Sequence, residues 1–368
     1  MDSCDVLIVG GGPAGSSCAW GLRRSGLRVA ILDKQVFPRH KVCGGWITPA
    51  VLDALEIAPV EYAEGRTLQP ITGFRTSYIG GPEVETHYGE PVSYGILRSE
   101  FDDYLLRRCG ARLVPGESVT HLARSGEEWI VNNTTQCRTL VGAGGTFCPV
   151  ARFLGAKVSR EIVVAAQEAE FEVDERCSIS GPIPELYFCS DMKGYGWCFR
   201  KGNLLNVGLG RMDQHQLSKH VAEFVTFLKA AGKIPLDTPP LIGHAYLLFG
   251  VTPRNIVGEG VLLVGDAAGL AYPQSGEGIR PAVESGLLAA RAIATDRLDC
   301  YKDSLTERFG KSGAQQWMSS IAGMLPASLI GAAARRLLET SWFARNVVLD
   351  RWFLHSNEPR IQRGGVIL

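Results

Sequence analysis

Three glycines near the start of the chain have the spacing of a turn that binds phosphate groups. Residues 5–9 form a short apolar run, and segment 10–15 follows it directly with the spacing GxGxxG. Gly10 allows a tight turn, Gly12 allows the backbone to approach a pyrophosphate, and Gly15 allows a helix to pack closely against the strand. The segment therefore predicts a strand, a phosphate-binding turn and a helix, in that order.

The residues after this turn complete the pattern of a dinucleotide site. Pro13 and Ala14 open a helical stretch whose N-terminus would face the negative charge of a pyrophosphate. A second strand, 28–32, ends at Asp33, where a carboxylate can accept a hydrogen bond from a ribose hydroxyl. We predict that Asp33 and the adjacent Lys34 contact the nucleotide. These residues do not distinguish FAD from NAD.

A second glycine-rich segment lies near the other end of the chain. A buried-strand run, 260–264, leads into segment 265–269, which reads GDAAG, and segment 273–279 follows with Gly276 and Gly278. Here the chain resembles the large family of glutathione-reductase-type flavoproteins, which includes aromatic hydroxylases, flavin halogenases and geranylgeranyl reductases. The resemblance implies that the bound dinucleotide is FAD.

The same resemblance assigns roles to residues of this second segment. It implies that Gly265 and Asp266 contact FAD, the carboxylate on its ribityl chain. It also implies that Gly276, Gly278 and Ile279 bring a helix N-terminus to the pyrimidine edge of the flavin. Such a contact is chemically reasonable because a reduced flavin carries negative charge near N1 and O2, which backbone N–H groups and a helix dipole stabilise.

Two middle segments carry further elements of the resemblance. Segment 97–106 resembles an arginine-bearing helix start, which implies that Arg98 lies along the diphosphate or ribityl side of FAD. The alternative is an ordinary surface arginine. Segment 140–155 places Gly144 or Gly145 where aromatic hydroxylases carry an aspartate. That departure counts against hydroxylase-style use of NADPH.

A cysteine followed by two glycines lies just after the first nucleotide-binding unit. The sequence from Lys41 to Trp46, KVCGGW, resembles the K-x-C-G-G element of geranylgeranyl reductases, in which a cysteine lies near the isoalloxazine ring. The glycines permit close approach of the backbone to a flat ring. The resemblance implies that Lys41, Cys43 and Gly44 bind the cofactor, and Cys43 is a candidate catalytic residue that would donate a proton or tune the flavin. The alternative is an ordinary buried thiol.

Three aromatic residues alternate along one short segment: Tyr195, Trp197 and Phe199. The segment resembles the Y-x-W-x-F-P element of the reductases, with Arg200 in place of proline. Alternation puts the three rings on one face of a strand, where they would form an apolar wall for an isoprenoid or a polyketide. Tyr195 and Trp197 are candidate catalytic residues, and the alternative is simple packing of a sheet core. The W-x-W-x-I-P element of flavin halogenases is not matched.

These segments predict an α/β fold in which two sheet domains merge. A Rossmann-like FAD-binding domain, a parallel sheet with helices, would be discontinuous, and an antiparallel-sheet substrate domain would fill the gaps between its pieces. A helical C-terminal region would follow. The predicted boundaries are 1–60, 95–155 and 250–300 for the FAD-binding domain, 61–94 and 156–249 for the substrate domain, and 301–368 for the C-terminal region.

Composition limits the partners and the compartment. The 368 residues include 38 Lys and Arg against 38 Asp and Glu, so no long-range field favours nucleic acid. The ten cysteines lack framework spacing and no histidines cluster at zinc spacing, so neither disulfides nor a metal site is expected. Without a secretory signal or a membrane-length apolar stretch, the protein is expected to be cytoplasmic. The arginine-bearing helical patterns at 321–338 and 342–354 leave peripheral membrane contact as an alternative.

Together these features predict an FAD-dependent oxidoreductase. The preferred hypothesis is reduction of C=C bonds in a lipophilic, isoprenoid-like or polyketide-like substrate by hydride transfer from reduced flavin. One alternative is a monooxygenase or halogenase acting through a flavin C4a-peroxide, and another is a non-enzymatic flavin-bound redox sensor. No second GxGxxG unit is present, so NAD(P)H or another reductant would supply electrons without a dedicated dinucleotide domain.

Overall fold

The computed structural model describes most of the chain. The described residues are 2–157, 163–174, 177–213, 216–250, 254–310, 334–362 and 366–367. The region 301–368 was predicted to be helical. Residues 311–333 of that region, which include most of the pattern at 321–338, lie outside the described residues.

The strands that the structure describes alternate with short helices along most of the chain. In chain order they are β1 Asp2–Val9, β2 Val29–Asp33, β3 Trp46–Ile47, β4 Leu68–Ile71, β5 Gly73–Tyr78, β6 Val84–His87, β7 Ser93–Ile96, β8 Arg112–Pro115, β9 Leu122–Ser125, β10 Glu128–Val131, β11 Thr135–Gly142, β12 Val163–Glu172, β13 Glu185–Phe188, β14 Gly194–Lys201, β15 Leu204–Arg211, β16 Ile242–Leu247, β17 Val257–Gly258, β18 Val261–Leu263, β19 Ile361–Gln362 and β20 Val366–Ile367.

Helices flank these strands. The labelled helices are α1 Pro13–Leu22, α2 Pro49–Ala54, α3 Pro59–Ala63, α4 Arg98–Arg108, α5 Pro149–Phe153, α6 Leu217–Ala230, α7 Ile279–Ala294 and α8 Tyr301–Phe309. A short helix at Ser341–Phe343 continues into a π-helical segment, Ala344–Phe353. None of the helices in the described part of the chain is both long and apolar enough to cross a bilayer.

The first sheet confirms the predicted parallel architecture. Its parallel strands lie in the order β8-β2-β1-β11-β18, with β17 antiparallel at one edge and the β9–β10 hairpin joined to β11. The central strand β1 is apolar and buried on both faces over residues 6–9, as expected for a strand covered by helices on both sides. Helices α1 and α7 pack against each other, because Gly286 has no side chain that would overlap the carbonyl oxygen of Ala14.

The second sheet is mostly antiparallel, in the order β16-β12-β15-β14-β13-β5-β6. The prediction of an antiparallel sheet holds except for one parallel pair, β13 and β5. The chain between these two strands runs through much of the first sheet before it returns, and such a long connection allows either strand direction. Helix α6 packs on one face of this sheet, where Phe224 lies against Tyr187.

The opposite face of the second sheet carries the residues that matter for the site. Strand register aligns Trp197 with Gly208 and Gly208 with Glu168, so the three form one row across β14, β15 and β12. A small third sheet, β3-β7-β4, borders this region. The π-helical segment supplies Phe353, whose ring lies 5.1 Å from that of Tyr195, so the end of the chain covers part of the aromatic face.

Candidate active site

The first glycine-rich turn has the local geometry that its spacing predicts. Gly10 has a φ of +115°, and a side chain there would overlap the carbonyl oxygen of Ala143. A Cβ on Gly15 would overlap the carbonyl oxygen of Gly10, so only glycine lets α1 begin so close to the turn. A Cβ on Gly12 would instead meet only the Nη2 atom of Arg39, at 3.4 Å. The backbone at Gly12 thus stays accessible on the side that Arg39 borders.

The carboxylate at the end of β2 holds this turn in place. Asp33 accepts hydrogen bonds from the backbone N–H of Gly11, at 2.7 Å, and from the N–H of Gln35, at 2.8 Å. Each carboxylate oxygen keeps a further lone pair, so Asp33 can also accept a hydrogen bond from a ribose hydroxyl. Lys34 is exposed beside it. Helix α1 begins at Pro13, and no side chain caps its N-terminus in the structure described.

Arg39 completes this half of the site and was missed from the sequence. Its Nη2 atom lies 3.1 Å from the carboxylate of the fully buried Asp102, and its guanidinium lies over the ring of Phe37. Its Nη1 atom is buried and has no hydrogen-bond partner among the described residues. A buried donor beside an open glycine turn is what a pyrophosphate oxygen would satisfy. The available signal was a cation six residues beyond Asp33.

Arg98 is largely shielded from solvent, so the alternative of an ordinary surface arginine is wrong. At the start of α4 it donates two hydrogen bonds to Asp102, at 2.9 and 2.8 Å, and its side chain is only 10% exposed. The thiol of Cys43 also lies within its electrostatic reach. Asp102 therefore faces two guanidinium groups, Arg98 and Arg39, which leaves a net positive charge beside the glycine turn. That charge favours a bound diphosphate.

The second glycine-rich turn lies directly against the first. Gly265 has a φ of +59°, and a Cβ there would lie 2.9 Å from the Cβ of Ala14 at the start of α1. The half-buried carboxylate of Asp266 borders the same space. Burial raises the pKa of the Asp266 carboxyl above its usual value, and the positive charges of Lys41 and Arg98 oppose the rise. Two segments about 250 residues apart in the sequence thus meet at one place in the fold.

The segment before α7 is fixed by two tyrosines. Helix α7 begins at Ile279 with Gly278 at its N-cap, and a Cβ on Gly278 would lie 3.1 Å from Oδ1 of Asp266. Gly276 has a φ of +68°, and a side chain there would overlap the hydroxyl of Tyr246. The hydroxyl of Tyr195 donates to the carbonyl oxygen of Ser275. The predicted glycines therefore place the N-terminus of α7 beside Asp266 and against the second sheet.

The Cys43 turn is held by a lysine that the sequence did not single out. Cys43 is half-buried, and its Sγ accepts a hydrogen bond from the N–H of Gly45 at 3.5 Å. Lys201, which is 1% exposed, donates to the carbonyl oxygens of Gly44, at 3.1 Å, and Ile96, at 3.2 Å. Its third partner is a carboxylate of the second sheet. Lys201 therefore fastens the turn to β14, and Lys41 at the start of the turn stays exposed.

The aromatic row reaches from the Cys43 turn to the segment before α7. A Cβ on Gly44 would lie 3.6 Å from the ring of Phe199 and 3.7 Å from Nε1 of Trp197. The Trp197 indole donates to Asn206 at 2.7 Å, and its ring lies 5.8 Å from that of Tyr195. Trp197 and Phe199 are buried, so the row both fills the sheet core and forms a wall. Because the polar atoms of Tyr195 and Trp197 are already hydrogen bonded, the geometry favours shaping of the cavity over proton transfer for both.

His244 is a further residue that the sequence did not single out. It lies on β16, and strand register aligns it with Ala166, on the same face as the aromatic row. Its Nδ1 atom is buried without a partner among the described residues. Burial, together with the charges of Lys41 and Arg98, lowers the pKa of His244 to about 4. His244 is therefore neutral near pH 7, and both cations lie close enough to act on it.

The groups around the cavity fit FAD. The unpaired guanidinium donor of Arg39 and the N-terminus of α1 suit the diphosphate. Asp33 and Asp266 offer acceptors for hydroxyl groups, and the N-terminus of α7 offers N–H donors to a ring edge. The apolar row and the Cys43 turn suit a flat aromatic ring.

Comparisons with known proteins agree with this fit. A family model described as FAD dependent oxidoreductase matches residues 5–75. Menaquinone reductase from Mycobacterium tuberculosis is 30% identical, over 84% of this chain and 81% of that protein. Digeranylgeranylglycerophospholipid reductase from Methanocaldococcus jannaschii is 26% identical, over 80% of this chain and 77% of that protein.

Solved structures share the fold along nearly the whole chain. A geranylgeranyl bacteriochlorophyll reductase-like protein from Thermoplasma acidophilum matches with a TM-score of 0.77 and 21% identity, over 97% of this chain and 99% of that one. A flavin-dependent brominase matches with a TM-score of 0.69 and 19% identity, over 96% and 92%. The fold by itself is thus common to reductases and halogenases, and the sequence similarity lies with the reductases. This chain belongs to the geranylgeranyl reductase-like family of FAD-dependent oxidoreductases.

Proposed function

We propose that this chain reduces a carbon–carbon double bond of a lipophilic, isoprenoid-like substrate. The observation that carries the proposal is the continuous apolar wall of Tyr195, Trp197 and Phe199, which spans from the Cys43 turn to Ser275. A flat wall of this kind accommodates a hydrocarbon chain and excludes water. Relatives that are named for prenyl-lipid and menaquinone reduction support the same chemistry.

The chain's own residues would bind and orient the cofactor. Arg39 and Arg98 would hold the diphosphate, Asp33 would accept from a ribose hydroxyl, and Asp266 would accept from the ribityl chain. When bound and reduced, FAD would supply the hydride, which carries both electrons that the reduction requires. We propose that the electron donor, NAD(P)H or another reductant, reaches the cofactor transiently.

The substrate would lie along the wall, beside the Cys43 turn. Lys201 ties that turn to β14, so the position of the turn relative to the wall is set by the sheet. Tyr195, tied to Ser275, fixes the wall relative to the start of α7. Orientation and exclusion of water are therefore the contributions of the second sheet to the reaction.

A second candidate function is that of a monooxygenase or halogenase. The shared fold of the flavin-dependent brominase favours it. Against it, Phe199 and Arg200 stand where the halogenase element carries isoleucine and proline, and the hydroxylase aspartate is replaced by glycine near Gly144. The third hypothesis, a redox sensor without substrate, would leave the apolar wall without a role.

A reoxidation experiment separates these candidates. The FAD-loaded protein is reduced by light under argon and mixed with geranylgeranyl diphosphate, menaquinone or an unsaturated archaeal-type phospholipid. The proposal predicts return of the oxidised flavin spectrum and a product with two added hydrogens that fragment masses locate on the prenyl chain. Reoxidation that needs air and inserts oxygen or bromide into an aromatic acceptor would establish the second candidate. A protein that does neither is a sensor, and the proposal is then wrong.

A further inference from the structure

A buried carboxylate beside the Cys43 turn has no role in the binding scheme above. Glu168 lies on β12 and is 4% exposed, and its Oε2 atom has no hydrogen-bond partner in the described part of the chain. It stands in the same cross-strand row as Trp197, with Gly208 between them. A Cβ on Gly208 would lie 2.7 Å from the Cβ of Glu168 and would overlap the indole of Trp197. The glycine thus keeps Glu168 next to the aromatic wall.

The nearest cation does not neutralise Glu168. Lys201 is engaged by the carboxylate of Glu170 and by the carbonyl oxygens of the Cys43 turn. Asn206 donates to the Glu170 carboxylate at 3.4 Å and to the Cys43 carbonyl oxygen at 3.5 Å. Since the Lys201–Glu170 pair is already balanced, an ionised Glu168 would be a second negative charge in a buried place.

The other groups that face Glu168 do not offer a counter-charge either. The side chain of Asn206 on β15 and the backbone N–H of Cys43 hydrogen-bond the carboxylate, and both are neutral. Glu170 adds a like charge from the same strand, and the phenols of Tyr195 on β14 and Tyr246 on β16 lie within electrostatic reach. Burial raises the pKa of the Glu168 carboxyl to about 7, and the charge of Lys201 opposes that rise. Glu168 is therefore protonated in a large fraction of the molecules near pH 7 and can both release and regain a proton.

A cleft of about 110 Å³ connects this carboxyl with the surface. Residues that line it include Glu168 and Cys43 at the buried end and the exposed His40 and Lys41 at the outer end. A space of this size admits water molecules between polar groups. Solvent can therefore return a proton to Glu168 after it has been lost.

We propose that Glu168 is the proton donor of the reduction, a role that rests on the proposed function. One carbon of the substrate double bond receives hydride from the reduced cofactor, and the other receives the proton of the Glu168 carboxyl. The π bond breaks, two C–H bonds form, and Glu168 is left as a carboxylate that takes a proton from the cleft. The reduced cofactor supplies both electrons, so atoms and charge balance.

The geometry favours Glu168 over the other acids near the wall. The hydroxyl of Tyr195 is committed to Ser275, and the indole N–H of Trp197 is committed to Asn206. The side chain of Glu277 is also buried without a hydrogen-bond partner within the described structure. Its charged neighbours are His355, Arg280 and Glu284, and it does not line the cleft. Cys43 lines the same cleft, so its thiol is the competing donor that an experiment must separate.

The kinetic test compares Glu168→Gln with Glu172→Gln, an exposed carboxylate at the end of the same strand. Under argon, the photoreduced FAD-loaded proteins are mixed with geranylgeranyl diphosphate and the flavin spectrum is followed. We expect Glu168→Gln to slow reoxidation by at least about 100-fold, the usual contribution of a general acid. Glu172→Gln should match the wild type, and Glu168→Asp should recover part of the rate.

Two readouts separate proton delivery from a structural effect. The wild-type rate should fall as the pH rises above about 7, whereas the residual rate of Glu168→Gln should not. Reoxidation by ferricyanide, which requires no proton on carbon, should be the same in both proteins. Infrared spectra in a Glu277→Gln background should show a protonated-carboxyl band that disappears as the pH passes about 7 and is absent when Glu168→Gln is added.

The outcomes are distinct. A wild-type protein that reduces the double bond and a Glu168→Gln variant with an unchanged rate and pH profile would overturn the assignment but leave the proposed function in place. If Glu168→Gln is unchanged and Cys43→Ser loses most of the reoxidation rate, the thiol of Cys43 is the proton donor. A wild-type protein that reduces no prenyl double bond would overturn the proposed function and this assignment together, even if the infrared band of Glu168 is present.

Discussion

The two large sheets contribute different kinds of groups to the site: one contributes mainly backbone and the other mainly side chains. In the parallel sheet the decisive positions are glycines: Gly10, Gly15 and Gly265 let the backbone turn and approach where any side chain would collide. In the second sheet the decisive groups are buried side chains, with Lys201 fastened to the Cys43 turn and one oxygen of Glu168 without a described partner beside it. Our proposals thus assign affinity for the cofactor and control of the chemistry to separate parts of the molecule.

The two regions also differ in the sign of their uncompensated charge. Around the glycine turn, Arg39 and Arg98 share the single carboxylate of Asp102, which suits an anionic diphosphate. Beside the aromatic wall, Lys201 faces the two carboxylates Glu168 and Glu170. Burial of the surplus carboxyl raises its pKa, which is why we propose proton donation for the second region and anion binding for the first.

The largest expected effect belongs to the parallel sheet. Gly15→Ala would place a methyl group onto the carbonyl oxygen of Gly10, and α1 could not begin where it does. We expect a loss of stability above about 4 kcal/mol and a protein that purifies without FAD. Urea unfolding and flavin absorbance measure the two effects. Gly89→Ala is the matched control, since a Cβ at Gly89 meets nothing within 4 Å. A yellow, stable Gly15→Ala protein would contradict the account of this turn.

Removing the buried lysine tests the second sheet. Lys201→Met keeps the shape of the side chain but leaves two backbone carbonyl oxygens and the Glu170 carboxylate without their donor. We expect a loss of about 3 kcal/mol in the free energy of unfolding, measured in urea. Adding Glu170→Gln should recover part of the loss, because the unpaired charge is removed. If the double variant is less stable than Lys201→Met, the carboxylate is not the source of the cost.

The buried acid next to the start of α7 predicts how stability depends on pH. Burial raises the pKa of Glu277 to about 7 in the folded protein, compared with a usual value near 4.5. A raised pKa means that its contribution is fully present below about 4.5 and is lost as the pH rises through about 7. Between about pH 5 and pH 8 the FAD-free wild type should therefore lose about 2–3 kcal/mol more stability than Glu277→Gln. If the free energy of unfolding changes equally with pH in the two proteins, Glu277 does not have the raised pKa described here.

The smallest expected effect concerns Arg39, a side chain in the region otherwise built from backbone. Arg39→Gln keeps a donor but removes the charge, while Asp102 retains Arg98 as its partner. We expect FAD to bind about 10- to 100-fold more weakly, with little change in stability. Titration of the FAD-free protein with FAD measures the change. The exposed Arg24→Gln is the control. If the two variants bind FAD with equal affinity, Arg39 does not contact the diphosphate.

The parallel sheet and its two glycine turns could be predicted because each motif lies within a few consecutive residues. The run at 5–9, the glycines after it and Asp33 each fix one local backbone feature, and the GDAAG segment does the same near the other end. The domain boundaries and the roles of these residues in binding remain predictions. The parallel pairing of β13 with β5 was not predictable, because no local pattern specifies which direction a distant strand takes.

Short sequence motifs therefore determined the backbone of the nucleotide-binding half. A turn around a phosphate involves only neighbouring residues, and its steric requirements appear in the sequence as glycines. The environments of Arg39, Lys201 and Glu168 depended on folding. An arginine, a lysine or a glutamate has no fixed environment in the linear chain, and only strand register brings Glu168 beside Trp197 and Lys201 beneath the Cys43 turn. Burial then changes what these groups do, because a charge removed from water must find a partner or give up its proton.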